Sequence, residues 1–328
     1  MATTQTTSEH ASKATVDPIA DVIALLRPRA VISASLRANG PWGIRFEGYP
    51  HVKFGTIVEG HCWIALDGVA TPVLLNAGDF YLLGNPPSYF MASDLDVPLR
   101  PAKPIFAAAR EGVIRVGAGR RSAEATHIVG GHFAFDEHNA SLLLEVLPPL
   151  LRVRTDTPEA RRLGILNELL AAEVAGDLPG RSLVLDRLAQ ILLVHALRAH
   201  GTDQTRRGAG WLGALADPQI GGALRRMHAD VARRWKLEEL AASAGMSRSA
   251  FALRFKATVG TAPLDYLIQW RMKLARDALR HGTKSIAELA FAVGYESESA
   301  FSTAFRRVVG KAPKPYRLEA RESARSAE

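Results

Sequence analysis

The hydrophobic and polar positions follow two different periods along the chain. From Val31 to about Val116, short alternating or β-branched runs are separated by Gly, Pro and Asn, which predicts many short strands. After Ser141 the period lengthens to that of helices, and Pro158 and Ser182 stand at the starts of two long apolar runs. Many short strands are typical of a small β-barrel or sandwich. The pattern therefore predicts a β-barrel with a helical hairpin, followed by further helices.

The second long apolar run, 183–199, carries more apolar positions than contact with one sheet requires. One side of this predicted helix can cover the barrel. The other side meets a second subunit or is buried within the same chain. His195 lies in this stripe and is interpreted as a packed core residue rather than a ligand. A polar, Gly-rich segment, 201–210, follows and predicts a linker.

Beyond the linker, the pattern predicts helices nearly to the end of the chain. They are expected near 218–229, 237–243, 248–258, 264–281, 285–292, 298–308 and 313–320.

One segment of this helical region occurs twice. Leu240–Lys256 matches Leu289–Arg306 at an offset of 50 residues, or 49 before the turn. Each copy has a short helix with a Leu-Ala pair, a glycine where a sharp turn can need positive φ, and a serine that can cap a second helix. Connecting turns in an ordinary helical bundle are the alternative, but two copies at a fixed offset favour a pair of helix-turn-helix units.

Each second helix carries two phenylalanines four residues apart, Phe251 with Phe255 and Phe301 with Phe305. They share one face and are expected to point into a core, which leaves the opposite face free to enter the major groove of DNA. The candidate base and phosphate contacts on that face are Ser249, Ala252, Leu253 and Lys256 in the first unit, and Glu298, Ser299, Ser302, Thr303 and Arg306 in the second. The candidate clamps on the DNA backbone are Arg248, Arg254, Arg271, Lys284, Arg307 and Lys311, although a solvated surface charge explains any one of them equally well.

The charge distribution agrees with a polyanionic partner at the C-terminal end. Residues 221–328 contain 20 Lys and Arg against 11 Asp and Glu, whereas residues 1–220 contain 21 against 22. Cys62 is the single cysteine, which excludes an internal disulfide and fits a reducing cytoplasm. No stretch reaches the roughly 18 apolar residues of a membrane span, so we expect a cytoplasmic protein without a membrane partner.

With these residues in view, the chain from about 217 to 320 resembles the AraC/XylS family of bacterial transcription regulators. The string from Gly294 to Arg317 is similar to the family pattern almost throughout, although Thr303 stands where many relatives carry a basic residue. The resemblance implies seven helices, with the long helix 264–281 separating two recognition helices that enter adjacent segments of the major groove. It also implies double-stranded DNA and RNA polymerase as partners, and activation of transcription as the usual outcome.

The N-terminal half is similar to the cupin-type domain found on one branch of those regulators. The residues that carry this resemblance are Gly40–Phe46, Cys62-Trp63, Ala77-Gly-Asp79, Gly130–Phe135 and Leu143–Pro149. Cupin enzymes hold a metal with His-x-His, a downstream Glu and a later His. Here Lys53 stands where the second histidine would follow His51, Glu59 is too far along, and Tyr89 replaces the late histidine. The resemblance therefore implies neither a metal nor a cofactor.

A barrel can enclose a ligand-sized cavity, so a small effector of unknown identity is expected in this domain. The candidate pocket residues are His51, Glu59, His61 and Tyr89, and the alternative for each histidine is a packed or solvated strand residue. Cys62 invites a redox-sensor hypothesis, but a lone cysteine beside Trp63 is more often a small buried hydrophobic residue.

Together these observations predict an α+β chain with a cupin-like β-barrel and an all-α domain holding two helix-turn-helix motifs. The predicted parts are a disordered lead (1–17), an effector and dimerisation domain (18–200), a linker (201–216), a DNA-binding domain (217–320) and a tail (321–328). The predicted function is that of an effector-responsive, homodimeric transcription activator. The alternative is a metal-dependent cupin enzyme with an accessory helical domain.

Overall fold

The computed structural model describes residues 17–108, 113–117, 125–135, 139–144, 147–154, 158–202 and 210–325. The strands are β1 (Arg29–Ala38), β2 (Gly43–Phe46), β3 (Val52–Glu59), β4 (His61–Leu66), β5 (Val73–Asn76), β6 (Phe80–Gly84), β7 (Tyr89–Ala92), β8 (Arg100–Pro101), β9 (Val113–Val116), β10 (Thr126–Ala134) and β11 (Leu151–Val153). The helices are α1 (Pro18–Leu26), α2 (Ala102–Ala107), α3 (Ser141–Leu144), α4 (Pro158–Ala175), α5 (Arg181–Thr202), α6 (Trp211–Ala216), α7 (Pro218–Ala229), α8 (Leu237–Ser243), α9 (Arg248–Val259), α10 (Pro263–His281), α11 (Ile286–Ala292), α12 (Glu298–Val309) and α13 (Pro313–Arg325). A sheet-rich N-terminal part followed by a helical C-terminal part confirms the predicted α+β class.

The strands form two sheets that share one core. The six-stranded sheet has the order β11-β6-β3-β10-β1-β9, and the five-stranded sheet has the order β5-β4-β7-β2-β8. Neighbouring strands are antiparallel except for β1 with β9 and β2 with β8. Strands β2 to β9 lie in the segment from Val31 to Val116, where the sequence predicts short strands bounded by turn residues.

Alternation along β6 explains why the six-stranded sheet lies in the middle of the N-terminal domain. Tyr81 and Leu83 face the five-stranded sheet and join the core between the sheets. Phe80 and Leu82 point to the other face and pack with the helices. Both faces of β6 are therefore covered by protein, and all five of its residues are buried.

The helical hairpin of α4 and α5 covers the outer face of the six-stranded sheet. The apolar stripe of α5 is divided, since Leu185, Leu192 and Leu193 are buried in the core, while Leu183 and Ile191 stay exposed at 58% and 43%. Burying one side against the sheet gives α5 its stable position. The half-buried side chain of His195 lies on this helix.

The helices of the C-terminal part agree with the predicted ranges to within a few residues at each end, and two differences stand out. The helix α6 occupies the end of the predicted linker, because Trp211, Leu212 and Ala214 are apolar and become buried. The last helix continues to Arg325, beyond the predicted end at 320. The predicted disordered lead lies outside the described residues except for Asp17, which caps α1. Residues 203–209 of the predicted linker and 326–328 of the tail also lie outside them.

The two helix-turn-helix units differ in how they connect to the rest of the protein. Phe251 and Phe255 of the first unit belong to the same buried cluster as Leu26 and Phe133 of the N-terminal part. The second unit has a separate core of its own, built around residues 272–305. The first unit therefore packs directly against the N-terminal part. Within the described residues, no helix is long and apolar enough to cross a lipid bilayer.

Candidate nucleic-acid interface

Each helix-turn-helix unit turns at a glycine in the left-handed region of backbone space. Gly245 has φ +66° between α8 and α9, and Gly294 has φ +85° between α11 and α12. The side chains of Ser247 and Ser297 accept hydrogen bonds from backbone N–H groups in the first turn of the following helix. A glycine and a serine therefore set where each second helix begins. These second helices, α9 and α12, are called the recognition helices below.

Each recognition helix is held by aromatic residues with nearly the same geometry in both units. The two phenylalanine rings of each helix are fully buried, with centroids 5.6 Å apart in both pairs. Phe255 contacts Tyr266 edge-on at 5.9 Å, and Phe305 contacts Tyr316 edge-on at 5.5 Å. Because the aromatic face of each helix is committed to a core, the opposite face is left for solvent or DNA.

The predicted contact residues lie on these opposite faces. The exposed ones are Arg248, Ser249, Leu253, Lys256, Glu298, Ser299, Thr303 and Arg306, and the half-buried ones are Ala252 and Ser302. Leu253 is 74% exposed, which is high for an apolar side chain.

Several candidate clamp residues already have partners within the protein. Arg248 forms an exposed ion pair with Glu238 at 3.1 Å. Arg254 binds Asp217 at 2.7 Å and the side-chain oxygen of Gln219 at 2.6 Å. Lys311 pairs with Glu319 at 2.6 Å. Exposed pairs of this kind contribute at most about 1 kcal/mol, so DNA phosphates can compete for these cations.

Lys256 and Arg306 differ from those residues because each is exposed without a hydrogen-bond or ion-pair partner in the described part of the chain. They also occupy the same position in the repeat, at the offset of 50 residues. Each cation lies one residue after a buried phenylalanine, in the last turns of its recognition helix. The two units therefore present equivalent unpaired positive charges.

Arg271 corrects one of the predicted phosphate contacts. Its side chain is only 8% exposed. Its guanidinium donates to the carbonyl oxygens of Val231 and Arg233, each at 2.8 Å. Because this guanidinium is buried and bonded to two backbone carbonyl oxygens, the predicted phosphate contact at Arg271 is wrong. It fastens α10 to the segment between α7 and α8 instead.

The same segment, residues 230–236, also contacts the turn of the second unit. A Cβ atom at Gly294 would lie 2.3 Å from the carbonyl oxygen of Ala232. Close by, Arg234 forms an exposed ion pair with Glu296 at 2.6 Å. This segment therefore helps to hold the second unit against the first. Sequence reasoning missed it because no periodicity marks a short loop that packs against a distant turn.

A chain of polar contacts joins α1 of the N-terminal part to the first unit. The side chain of His228 is fully buried. Its Nδ1 lies 2.8 Å from a carboxylate oxygen of Asp21, and its Nε2 lies 2.7 Å from the hydroxyl oxygen of Tyr266. Trp211 donates to that same hydroxyl oxygen at 2.8 Å. The tyrosine that supports α9 is therefore bonded, through one histidine, to the N-terminal domain.

The predicted pocket residues do not come together. A cavity of about 90 Å³ opens beside β3 and β7, and of the four candidates only Tyr89 lines it. His51 contacts Tyr49 edge-on, outside the lining. Glu59 ends β3 and His61 begins β4; both side chains are exposed, and neither lines the cavity. Of the four predicted pocket residues, only Tyr89 therefore lines this cavity, and an effector contact by His51, Glu59 or His61 stays a prediction.

The side chains that the structure describes contain no cluster of three His, Cys, Asp or Glu residues that could hold a metal ion. Lys53 points into the cavity, where it lies over the ring of Tyr89 at 5.5 Å.

Cys62 is fully buried in the core between the two sheets. Burial, with a smaller contribution from the charge of Asp79, raises the pKa of the Cys62 thiol to about 12. The thiolate population at neutral pH is then roughly a thousandfold lower than for a free cysteine. We expect iodoacetamide to label Cys62 readily in urea and hardly at all in the native protein, as measured by peptide mass spectrometry. Rapid labelling of the native protein would support a redox-sensing role instead.

Comparisons with known proteins match both parts of the chain. A family model described as Cupin matches residues 17–201, and one described as Helix-turn-helix domain matches residues 240–319. An AraC-like transcription regulator of Streptomyces lividans is 41% identical over 283 residues, which cover 86% of this chain and 92% of that protein. The HTH-type transcriptional regulator AlkR of Acinetobacter baylyi is 31% identical over 80% of this chain and 86% of that protein. Among solved structures, the DNA-binding domain of AdpA in complex with a target DNA is 32% identical, covers 32% of this chain and 95% of that chain, and superposes with a TM-score of 0.31.

Proposed function

The chain belongs to the AraC-like transcription regulators, and within that family we propose that it is a dimeric activator that responds to a small molecule. Regulators with this type of helix-turn-helix domain bind double-stranded DNA. The observation that carries the sequence-specific part of the proposal is the duplicated unit, whose recognition helices expose equivalent positions on equivalent supports. Two recognition helices on one chain can enter successive segments of the major groove.

The residue types on the exposed faces indicate that different residues contact bases and phosphates. Lys256 and Arg306 carry long cationic side chains suited to phosphates or to guanine, while Ser302 and Thr303 are short hydrogen-bonding groups suited to base edges. Leu253 offers an apolar surface for a thymine methyl group. We therefore propose that the exposed faces of α9 and α12 form the DNA contact surface.

Selection of bound sites from random DNA tests this proposal. We expect enrichment of one motif with two separated conserved blocks, because each recognition helix contacts its own segment of the groove. Placed upstream of a promoter, the selected motif should raise transcription by purified RNA polymerase when the protein is added. Failure to enrich any motif would refute sequence-specific binding, and lowered transcription would refute activation.

The contact between α1 and the first unit supports effector control of DNA binding. A ligand in the N-terminal domain can alter DNA affinity only if it binds two arrangements of the protein unequally. The Asp21–His228–Tyr266 contacts and the shared core make α1 the element through which such a difference reaches α9. We propose that effector binding shifts α1 against α7 and changes how the first recognition helix is presented.

The exposed apolar residues of the helical hairpin support dimerisation through α4 and α5. Ile165 and Leu169 are one turn apart on α4 and are 57% and 52% exposed. Leu183, Val184 and Ile191 add exposed apolar area on α5. Apolar area of this kind is commonly a protein contact surface.

Charged substitutions at Ile165→Asp and Leu169→Asp should therefore convert the dimer to a monomer. Light scattering during gel filtration should give twice 35.5 kDa for the natural chain and 35.5 kDa for the double variant. Val69→Asp changes a residue of similar exposure in the loop after β4 and serves as the control. A monomeric natural chain, or a double variant that stays dimeric, would contradict the proposed interface.

We also propose that the N-terminal domain binds its ligand without transforming it, and that the protein acts in the cytoplasm. Lys53 and Tyr89 stand at two positions where cupin enzymes have metal ligands, which supports ligand binding without reaction over a metal-dependent enzyme. Metal analysis of the purified protein separates the two functions. Stoichiometric iron, manganese or zinc would favour the enzyme.

A further inference from the structure

Lys53 lies in an unusual position for a lysine, on the inner face of β3. Its neighbour Phe54 points outward into the core under the helices, so alternation along the strand directs Lys53 toward the five-stranded sheet. There it lines the cavity of about 90 Å³. The other lining residues are Leu36, Phe46, Phe54, Tyr81, Tyr89, Met91, Phe106, Ile128, Gly130, Gly131 and His132. The cavity is therefore mostly apolar, with one ammonium group.

Aromatic rings surround this ammonium. Lys53 Nζ lies 4.7 Å from the ring centroid of Tyr49 and 5.5 Å from those of Phe46 and Tyr89. It donates one hydrogen bond, at 3.4 Å, to the hydroxyl oxygen of Tyr89. Ring faces compensate part of the charge, but they do not replace the water that burial removes.

No carboxylate among the described residues forms an ion pair with Lys53. The titratable groups around it are the hydroxyls of Tyr89 and Tyr49 and the imidazole of His132, which lies directly opposite Lys53 across the ladder on β10. Burial lowers the pKa of Lys53, since its ammonium loses solvation without gaining an anion. The cavity thus holds a cation that lacks its counter-ion.

The second polar group at this end of the cavity can donate a hydrogen bond. Burial raises the pKa of Tyr89, so its hydroxyl stays protonated at neutral pH. Phe46 stacks on the ring of Tyr89 with centroids 4.7 Å apart, which fixes the direction of that hydroxyl. An ammonium and a hydroxyl that converge on one point are suited to the two oxygens of a carboxylate.

We propose that this cavity binds a small monocarboxylate, whose anionic end contacts Lys53 Nζ and the Tyr89 hydroxyl and whose apolar body packs on Phe106, Met91 and Ile128. The proposal rests on the proposed function, because it names the chemical class of the effector. Gly130 and Gly131 also line this space. A matched neutral amide fills the same volume without the charge and should bind roughly tenfold to a hundredfold more weakly.

Calorimetric titration of the full chain tests this directly. The probes are butyrate, hexanoate and benzoate, each compared with its own amide. At least one acid should bind more tightly than its amide by the stated factor. Lys53→Met keeps an apolar stem of similar length, and it should reduce acid binding to the level of the amide. Tyr89→Phe should give a smaller loss, which provides a second reading if Lys53→Met alters folding by circular dichroism.

Three outcomes would overturn the proposal: none of the acids binds, an amide binds as tightly as its acid, or Lys53→Met keeps the preference. A gel shift on the selected DNA site, with and without the bound acid, then separates this inference from effector control. If the acid binds through Lys53 and DNA affinity is unchanged, the carboxylate site is supported and its regulatory role fails. If the acid binds through Lys53 and also changes the DNA affinity, the carboxylate site and its regulatory role are both supported.

Discussion

Gly294→Ala should open the second helix-turn-helix unit and abolish DNA binding by α12. Two effects combine at this position. The positive φ of +85° costs any other residue about 1 to 2 kcal/mol. In addition, the new methyl group would lie 2.3 Å from the carbonyl oxygen of Ala232 and 2.7 Å from the Arg271 guanidinium. The backbone must move to relieve that overlap. Overpacking of this kind lowers the free energy of unfolding by a further amount of about 1 to 3 kcal/mol.

Gly245→Ala is the matched control, because it occupies the same place in the first unit. Its φ of +66° is also in the left-handed region, yet a Cβ atom there would meet nothing within 4 Å. The stability of the Gly245→Ala variant should therefore fall only by the backbone contribution of about 1 to 2 kcal/mol.

Hydrogen exchange measures both effects locally, since it reports the opening free energy of each helix. We expect the amides of α11 and α12 to lose far more protection in Gly294→Ala than those of α8 and α9 lose in Gly245→Ala. Equal losses in the two variants would show that the contact with Ala232 does not constrain the second unit.

Arg306→Ala should weaken binding to the selected DNA site by roughly five- to a hundredfold, which corresponds to one lost specific contact. Arg306 is exposed without a partner in the described part of the chain, so its substitution removes no internal bond. The salt dependence of the affinity identifies the type of contact. A phosphate contact would weaken binding to all sequences and reduce the salt slope by about 1, whereas a base contact would relax specificity at one position.

Two further variants serve as comparisons for Arg306→Ala. Lys256→Ala removes the equivalent cation of the first recognition helix and should weaken binding by a comparable factor. Lys103→Ala removes an exposed positive charge from α2 of the N-terminal domain, where it pairs with Glu47, and should leave DNA affinity nearly unchanged. Fluorescence anisotropy with labelled DNA measures all three. Similar losses in all three variants would mean that net charge, rather than these helices, determines affinity.

The duplicated unit was predictable from the sequence because its determinants are local. The Gly245 and Gly294 turns, the serine caps and the paired phenylalanines each act within a few residues, so the repeat alone predicts both recognition helices. The strands between Val31 and Val116 were predictable for the same reason, since turn residues bound them, whereas β10 and β11 lie beyond that segment. Consistent local preferences of this kind specify a fold efficiently.

The contacts between distant segments were not predictable. Arg271 has the composition of a DNA clamp, and only the fold shows its guanidinium bonded to carbonyl oxygens near Val231. Glu59 and His61 are close to His51 in sequence, but the extended strand places them at the opposite end of the sheet. In the sequence, Lys53 stands out only because it occupies the position of a cupin histidine ligand. Nothing local reveals that its ammonium faces a cavity without a carboxylate.

The separation of the two cores bears on how a signal would travel. The first unit shares its core with the N-terminal part, whereas the second has its own core and contacts the first through α10 and the segment 230–236. An effector would then act first on the position of α9. The contact of α12 with DNA would change less on effector binding. Variants at α9 should therefore alter the response to effector more than variants at α12.

Methylation interference on a selected DNA site tests whether both recognition helices enter the major groove, because methylation of guanine N7 blocks contacts there. We expect two clusters of interfering guanines for each bound protomer, with centres about 10 base pairs apart. Arg306→Ala should remove interference in one cluster and leave the other intact. A single cluster, or a pattern unaffected by Arg306→Ala, would contradict recognition by two helices.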